Sequence, residues 1–270
     1  MNPPTLRIDH YPQAPRNPYQ TLMCKALEAQ DATGYLIPGG ALGLMKRSVV
    51  GAGDVLHLHW INNPATARYG VTAVIRFALL QTALLVWRAR RKPIIWTVHN
   101  LVNHEQSRRR LDRANSMLVG RYASYLLVHG ENVRTIVARY LRVSEQKIRV
   151  VHHGNYEGVI SPRSLDRNHE GVRFLFFGAI RKYKQIPELM QAFRSLKGSH
   201  RLHVAGEVAD QKSKDEIERT AQQDSRISTQ LDFVSDKKLD ELLAWSDIVV
   251  LPYREILTSG SLLMALTAGR

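Results

Sequence analysis

The stretch Phe174–Phe193, FLFFGAIRKYKQIPELMQAF, decides the fold. Its apolar run Phe174–Phe177 is too short for a buried helix and suits a strand covered on both faces. Gly178 ends the run, a loop carries Arg181, Lys182 and Lys184, and an apolar-periodic helix opens at Ile186. Strand, polar loop and helix form part of a βαβ unit, and the same grammar recurs outward in both directions. Downstream, strands are expected at Val172–Phe177, Arg201–Ala205, Ile227–Leu231 and Asp247–Leu251, with helices at Ile186–Leu196, Lys212–Gln222, Asp236–Ala244 and Ser259–Thr267. Upstream, strands are expected at Leu6–Asp9, Asp54–His59, Pro93–Val98, Tyr125–Val128 and Lys147–Val151. The helices between them are Tyr19–Ala29, Tyr69–Arg90, Arg108–Tyr122 and Asn132–Leu141. The two series are separated by HHGNYEGVISPRSLDRNHEG, which is poor in apolar runs and reads as a linker. A boundary near Ser161 divides the chain into residues 1–160 and 161–270. Two doubly wound α/β units in tandem predict a ligand cleft at the carboxyl ends of their sheets.

The 270 residues are 44% hydrophobic and 23% charged, an ordinary globular composition. One cysteine, Cys24, excludes an internal disulfide and fits a reducing compartment. The first residues, MNPPTLRIDHYPQ, lack the apolar core of a secretory signal. The net charge of +14 is uneven: residues 1–160 carry 21 Lys/Arg against 9 Asp/Glu, and residues 161–270 carry 17 against 15. A basic first half suits a phosphorylated substrate, an anionic lipid surface or nucleic acid, or is a solvated face. Nucleic acid is the weakest of these, because no reader motif or basic groove with interleaved aromatics occurs. Val71–Pro93 is an apolar stretch broken by Arg76 and Gln81 and followed by Arg88, Arg90, Arg91 and Lys92. It is expected to lie at a membrane interface, to pack on the sheet, or to do both.

Two loops carry the chemistry. Arg181 and Lys184 after Gly178 offer a planar fork and a point charge for a diphosphate, where glycine lets the backbone approach. In DIVVLPYREILTSGSLLMALTAGR, Thr258, Ser259, Gly260 and Ser261 open the last helix and form an anion site, or serve as a plain N-cap. Two such loops in one half are better explained by one shared diphosphate.

On these residues the second half resembles the nucleotide-sugar domain of GT-B glycosyltransferases related to family 4. Gly178, Arg181 and Lys184 match that family's Gly…Arg…Lys motif, with Gln185 where a glycine usually follows the lysine. HVAGEV, with Gly206, resembles the strand and turn beside the nucleotide. LDFVSDKKLDELLAWSDIVVLPY resembles the segment that brings Phe233 and Val234 near the base. In the first half IDHYPQAPRNPYQTLMCKAL, with Tyr19, and DVLHLHW, with His59 and Trp60, resemble acceptor-side elements. WTVHNLVNHE resembles a cleft-lining strand end, and VHHGNYEGV and ILTSGS complete the set. Together they look most like bacterial exopolysaccharide β-mannosyltransferases that use GDP-mannose and a lipid-linked acceptor. The resemblance implies two Rossmann-like domains facing a cleft, an acceptor-binding first and a donor-binding second. It also implies a cytoplasmic enzyme peripheral to the inner face of the plasma membrane. Relatives continue past the equivalent of Ala268–Arg270, so the second domain is expected to be C-terminally truncated.

One departure bears on mechanism. The two glutamates of retaining family 4 enzymes fall at Ile256 and Met264, and Glu255 is out of register. Inversion by direct displacement is therefore expected, with a base for the acceptor hydroxyl. Glu105 is the candidate base; His99 is the candidate sugar ligand, as the resemblance implies, and the second candidate base. A retaining family 4 enzyme and a sugar-nucleotide epimerase of the same fold are the alternatives. His57 and His59 share a strand face, but no carboxylate or cysteine nearby completes a metal set, and no Asp-x-Asp occurs. No metal and no cofactor besides the nucleotide sugar is expected, and His152-His153 is read as a hinge feature.

Overall fold

The computed structural model describes residues 5–51, 53–61, 69–101, 108–161, 168–254 and 256–270. It divides into two compact units, Met1–Gly154 and Asn155–Arg270, with the break six residues before the one expected at Ser161.

The first unit runs β1 (Leu6–Tyr11), α1 (Pro18–Glu28), β2 (Ala32–Leu36), α2 (Gly40–Val50), β3 (Val55–Leu58), α3 (Gly70–Ala89), β4 (Ile94–Thr97), α4 (Arg109–Tyr122), β5 (Tyr125–Val128), α5 (Glu131–Leu141) and β6 (Ile148–Val150). Its strands form one parallel sheet in the order β2-β1-β3-β4-β5-β6. The second unit runs β7 (Arg173–Phe177), α6 (Ile186–Arg194), β8 (Arg201–Ala205), α7 (Gln211–Gln222), β9 (Ile227–Gln230), α8 (Asp236–Trp245), β10 (Ile248–Val249) and α9 (Gly260–Thr267). Its parallel sheet has the order β10-β7-β8-β9.

Every strand and helix expected from the sequence is present. β2 and α2 are additional. β2 reads ATGYL, a glycine-interrupted strand at the sheet edge, and α2 carries two glycines, so neither shows a clean apolar period. The core of the second unit gathers Phe176, Ile180, Ile186, Met190, Phe193, Leu202, Val204, Ile217 and Ile227 between sheet and helices.

The apolar helix α3 is long and apolar enough to cross a membrane by composition, yet Ala73, Leu80, Ala83, Leu84 and Trp87 are buried in the unit. Gln81 donates to Asn115 Oδ1 at 2.7 Å, and Asn115 donates to the Ile61 carbonyl at 2.9 Å. Its basic end is engaged with backbone: Arg88 donates to the Tyr122 carbonyl, Arg90 to that of Val49, and Lys92 to those of Gly51 and Gly53. The opposite face leaves Val71, Val74, Ile75 and Leu85 exposed.

Strand order fixes where side chains from different loops can meet. In the first sheet the chain passes from β1 out to β2, then reverses to β3 on the other side of β1. In the second it passes from β7 through β8 to β9, then returns to β10 on the other side of β7. At such reversals the loops after two neighbouring strands diverge and leave room at the carboxyl edge.

Candidate active site: the two switch points

In the second unit the loops after β7 and β10 meet. Gly178 has φ +113°, and a Cβ there would lie 2.9 Å from Ser261 Oγ and 3.3 Å from Lys184 Nζ. A side chain at Gly178 would therefore occupy the space these two groups face. Gly206, with φ +149°, brings β8 so close that a Cβ would collide with the Gly178 carbonyl at 2.1 Å. Lys184 ends a short 3₁₀ turn, and Gln185 after it takes φ +51°, ψ +47°. That left-handed conformation is the one glycine adopts without strain, which accounts for glycine in the family motif at this position.

Lys184 is buried, its Nζ 4.9 Å from the Tyr253 ring centroid and 5.7 Å from that of Phe176. It makes no ion pair with a described residue. Burial, with Arg181 second, pulls its pKa down from 10.5 to about 8. Arg181 is turned differently: its Nη1 donates to the carbonyls of Ile180 at 2.8 Å and Glu207 at 3.3 Å, linking the loops after β7 and β8. Ser259 is the N-cap of α9, accepting from Leu262 N at 3.1 Å. Burial pushes the Tyr253 phenol up, opposed by its neighbours Ser261 and Ser259. Tyr156 brings its hydroxyl to 3.1 Å from where a Cβ on Gly260 would stand. Thr258 is half-buried beside them, Phe233 is 50% exposed in the loop after β9, and Val234 is half-buried. Ile256 is exposed and Met264 half-buried; Glu255 lies outside the described residues.

The first switch point is built from aromatic and imidazole rings. Asn17 caps α1 by accepting from Tyr19 N at 3.0 Å, with Pro18 in the first turn. This seats Tyr19 edge-on to His99 (centroids 5.2 Å, 90°) and to His59 (5.7 Å, 79°). Trp60 stacks on His99 at 4.7 Å and 17°, while Trp96 Nε1 donates to the His59 carbonyl at 3.0 Å. His99 Nε2 lies 3.5 Å from His59 Nδ1, and His59 Nε2 lies 3.3 Å from His10 Nδ1. His129 and His153 continue the row, 5.5 and 4.8 Å between centroids. Burial, then the neighbouring imidazoles His129, His153 and His57, holds His99 down to about 3, so the ring is neutral near pH 7. Glu105 lies outside the described residues.

A third imidazole joins His57 and His59, because the parallel register sets His10 of β1 beside His57 of β3. His10, His57 and His59 are all buried and offer ring nitrogens within 4.8 Å of one another. Neighbouring strands do not show in linear spacing; only a predicted strand order would have exposed this triplet. Tyr156, Tyr253 and His129 were missed for the same reason.

Residues 171–270 match the family described as glycosyl transferases group 1. A curated relative, GDP-mannose:glycolipid 4-beta-D-mannosyltransferase of Xanthomonas campestris pv. campestris, is 26% identical over 266 residues, 96% of this chain and 70% of that protein. Among solved structures, Anabaena HepE in complex with UDP-glucose superposes with a TM-score of 0.69 at 13% identity, covering 98% of this chain and 78% of that one. The catalytic domain of starch synthase IV from Arabidopsis thaliana, bound to ADP and acarbose, gives 0.68 at 9% identity, covering 98% and 81%. The expected resemblance to GT-B glycosyltransferases, the two-sheet α/β fold and the enzyme class are all borne out.

Proposed function

We propose that this glycosyltransferase moves a hexose, mannose from GDP-mannose, onto a lipid-linked saccharide with inversion at the anomeric carbon. The observation that carries the donor side is the buried Lys184 ammonium, which has no anion among the described residues and faces the space that Gly178 leaves open. A charge buried without a counter-ion is costly, and a diphosphate supplies that counter-ion. Ser261 and the free N–H groups at the start of α9 add hydrogen bonds to the same anion. Phe233 is exposed where the resemblance puts the base.

In the reaction the acceptor hydroxyl oxygen forms a bond to the anomeric carbon as the bond to the diphosphate oxygen breaks. The electron pair leaves with GDP, whose charge Lys184 and the α9 N-terminus stabilise, and the hydroxyl proton passes to the Glu105 carboxylate. His99, a neutral ring stacked on Trp60, suits hydrogen bonding to a sugar hydroxyl; with its basicity so depressed it is a poor proton acceptor. An acceptor carried by lipid fits the exposed Tyr69, Val71, Val74 and Ile75. They start α3, and a helix that follows a parallel strand starts at the sheet's carboxyl edge, where Tyr19 and His99 lie. The basic surplus of residues 1–160 favours an anionic bilayer.

A thermal-shift panel of GDP, UDP and ADP sugars tests the donor, and proton NMR of the product formed on a lipid-linked acceptor tests the rest. Protection by GDP-mannose and a β-linked product are expected. An α-linked product restores the retaining alternative, and conversion of free nucleotide sugar without acceptor supports an epimerase.

A further inference from the structure

The first unit contains a cluster of imidazoles to which the bond-making step proposed above gives no part. We propose that His10, His57 and His59 form a binding site for one divalent transition-metal ion, with zinc the best match. Three imidazoles and no thiolate or carboxylate suit zinc, copper or nickel, and do not suit magnesium or calcium, which prefer oxygen ligands.

Geometry supports this in two ways. His10 and His57 are register partners on β1 and β3, and His59 follows β3 directly with its N–H donating to the Tyr11 carbonyl at 2.8 Å, so the ligands are organised by the sheet. Zinc–nitrogen bonds of about 2.0–2.1 Å in a tetrahedral arrangement put ligand nitrogens roughly 3.3–3.4 Å apart. His10 Nδ1 and His59 Nε2 already stand at 3.3 Å, and the full triplet lies within 4.8 Å. The second support is the outer partners: His57 Nε2 is 2.7 Å from Thr97 Oγ1, and His59 Nδ1 is 3.5 Å from His99 Nε2. Contacts of this kind fix the tautomer and orientation of metal-bound imidazoles.

Three protein ligands leave a fourth position for water. The ion would tie the carboxyl ends of β1 and β3 together at the switch point and, through His59, orient His99. Binding of the ion itself does not require the donor diphosphate, which is assigned to the second unit.

The chain has 11 histidines, so zinc stoichiometry alone does not decide the matter. Protein stripped with a chelator is titrated with zinc in competition with a chromophoric chelator, and cobalt substitution is followed in the visible region. One tight zinc per chain and the intense d–d bands of four-coordinate cobalt are expected. Thr97→Val, a change of similar shape that leaves all three ligands, should weaken zinc about 10–100-fold through the lost outer contact. His10→Gln and His59→Gln should weaken it more, while His152→Gln, at an exposed histidine outside the triplet, should bind as the unaltered protein does. Should the buried-histidine variants not fold, the cobalt spectrum and Thr97→Val still decide. Six-coordinate cobalt bands, no tight zinc, or zinc affinity unchanged in Thr97→Val and His10→Gln would each overturn the proposal.

Discussion

Both sheets reverse beside one strand, β1 in the first unit and β7 in the second, yet the two reversals gather opposite kinds of chemistry. Around β1 the polar groups largely satisfy one another. Asp9 takes two hydrogen bonds from Arg47, the histidines approach in a row, and Tyr19 and Trp60 pack on their rings. Around β7 a single ammonium is buried among aromatic rings without a carboxylate among the described residues. Shared topology positions the loops; residue type decides whether the edge is closed on itself or waits for an anion.

The largest effect should come from the proposed base, which the family resemblance assigns to the first unit. Glu105→Gln is expected to lower the transfer rate by roughly 10²–10⁴-fold, the scale of general-base catalysis, while thermal protection by the donor persists. An active Glu105→Gln enzyme would leave the first edge without its proposed base. Next in size, Asp9→Asn strands Arg47 beside a buried amide. Asp9 is fully buried and bound at 2.7 and 2.8 Å, so the loss of folding stability should be about 3 kcal/mol by denaturant titration. A neutral result would show that the polar groups packed around β1 are less tightly self-satisfied than their geometry indicates.

Lys184→Met tests the second edge from both directions. Losing a charged partner should weaken nucleoside-diphosphate binding by about 1.5–3 kcal/mol in calorimetry. Arg181→Ala should cost less, because its guanidinium is tied to two carbonyls. Without ligand, Lys184→Met should raise the melting temperature at pH 7, since it removes an unpaired buried charge. The pH dependence has a definite sign. With a folded pKa of about 8 against 10.5, the folded chain binds fewer protons than the unfolded one between those values, so stability from this group rises with pH there. Diphosphate binding needs the ammonium and should run the other way, full below pH 8 and fading above it. A pH-independent Kd between 7 and 9.5 would assign the anion to another group.

The sequence made one edge far more legible than the other. The donor loop is contiguous: Gly178, Arg181 and Lys184 lie within seven residues, so spacing alone brings them together. Even Gln185, the departure from the family motif, marks a left-handed turn that the structure contains. The imidazole edge draws on β1, β3 and the ends of β4, β5 and β6, so its members lie tens of residues apart and meet only through strand order. β2 and α2 escaped because glycines break their periods.

The smallest expected effect separates two serines that the sequence treats as one motif. Ser259 Oγ already accepts from Leu262 N, closing the first turn of α9, whereas Ser261 Oγ faces the space beside Gly178 and Lys184. Ser259→Ala should therefore cost about 1 kcal/mol of stability, the usual value of an N-cap. It should leave donor affinity close to that of the unaltered protein. Ser261→Ala should do the reverse, lowering donor affinity by about 0.5–1.5 kcal/mol for a lost hydrogen bond, with little change in melting temperature. Thermal denaturation and calorimetry on the same two variants give all four numbers. If both lose affinity equally, the whole Thr258–Ser261 turn wraps the diphosphate. If neither does, the helix cap is structural and the anion rests on Lys184 alone.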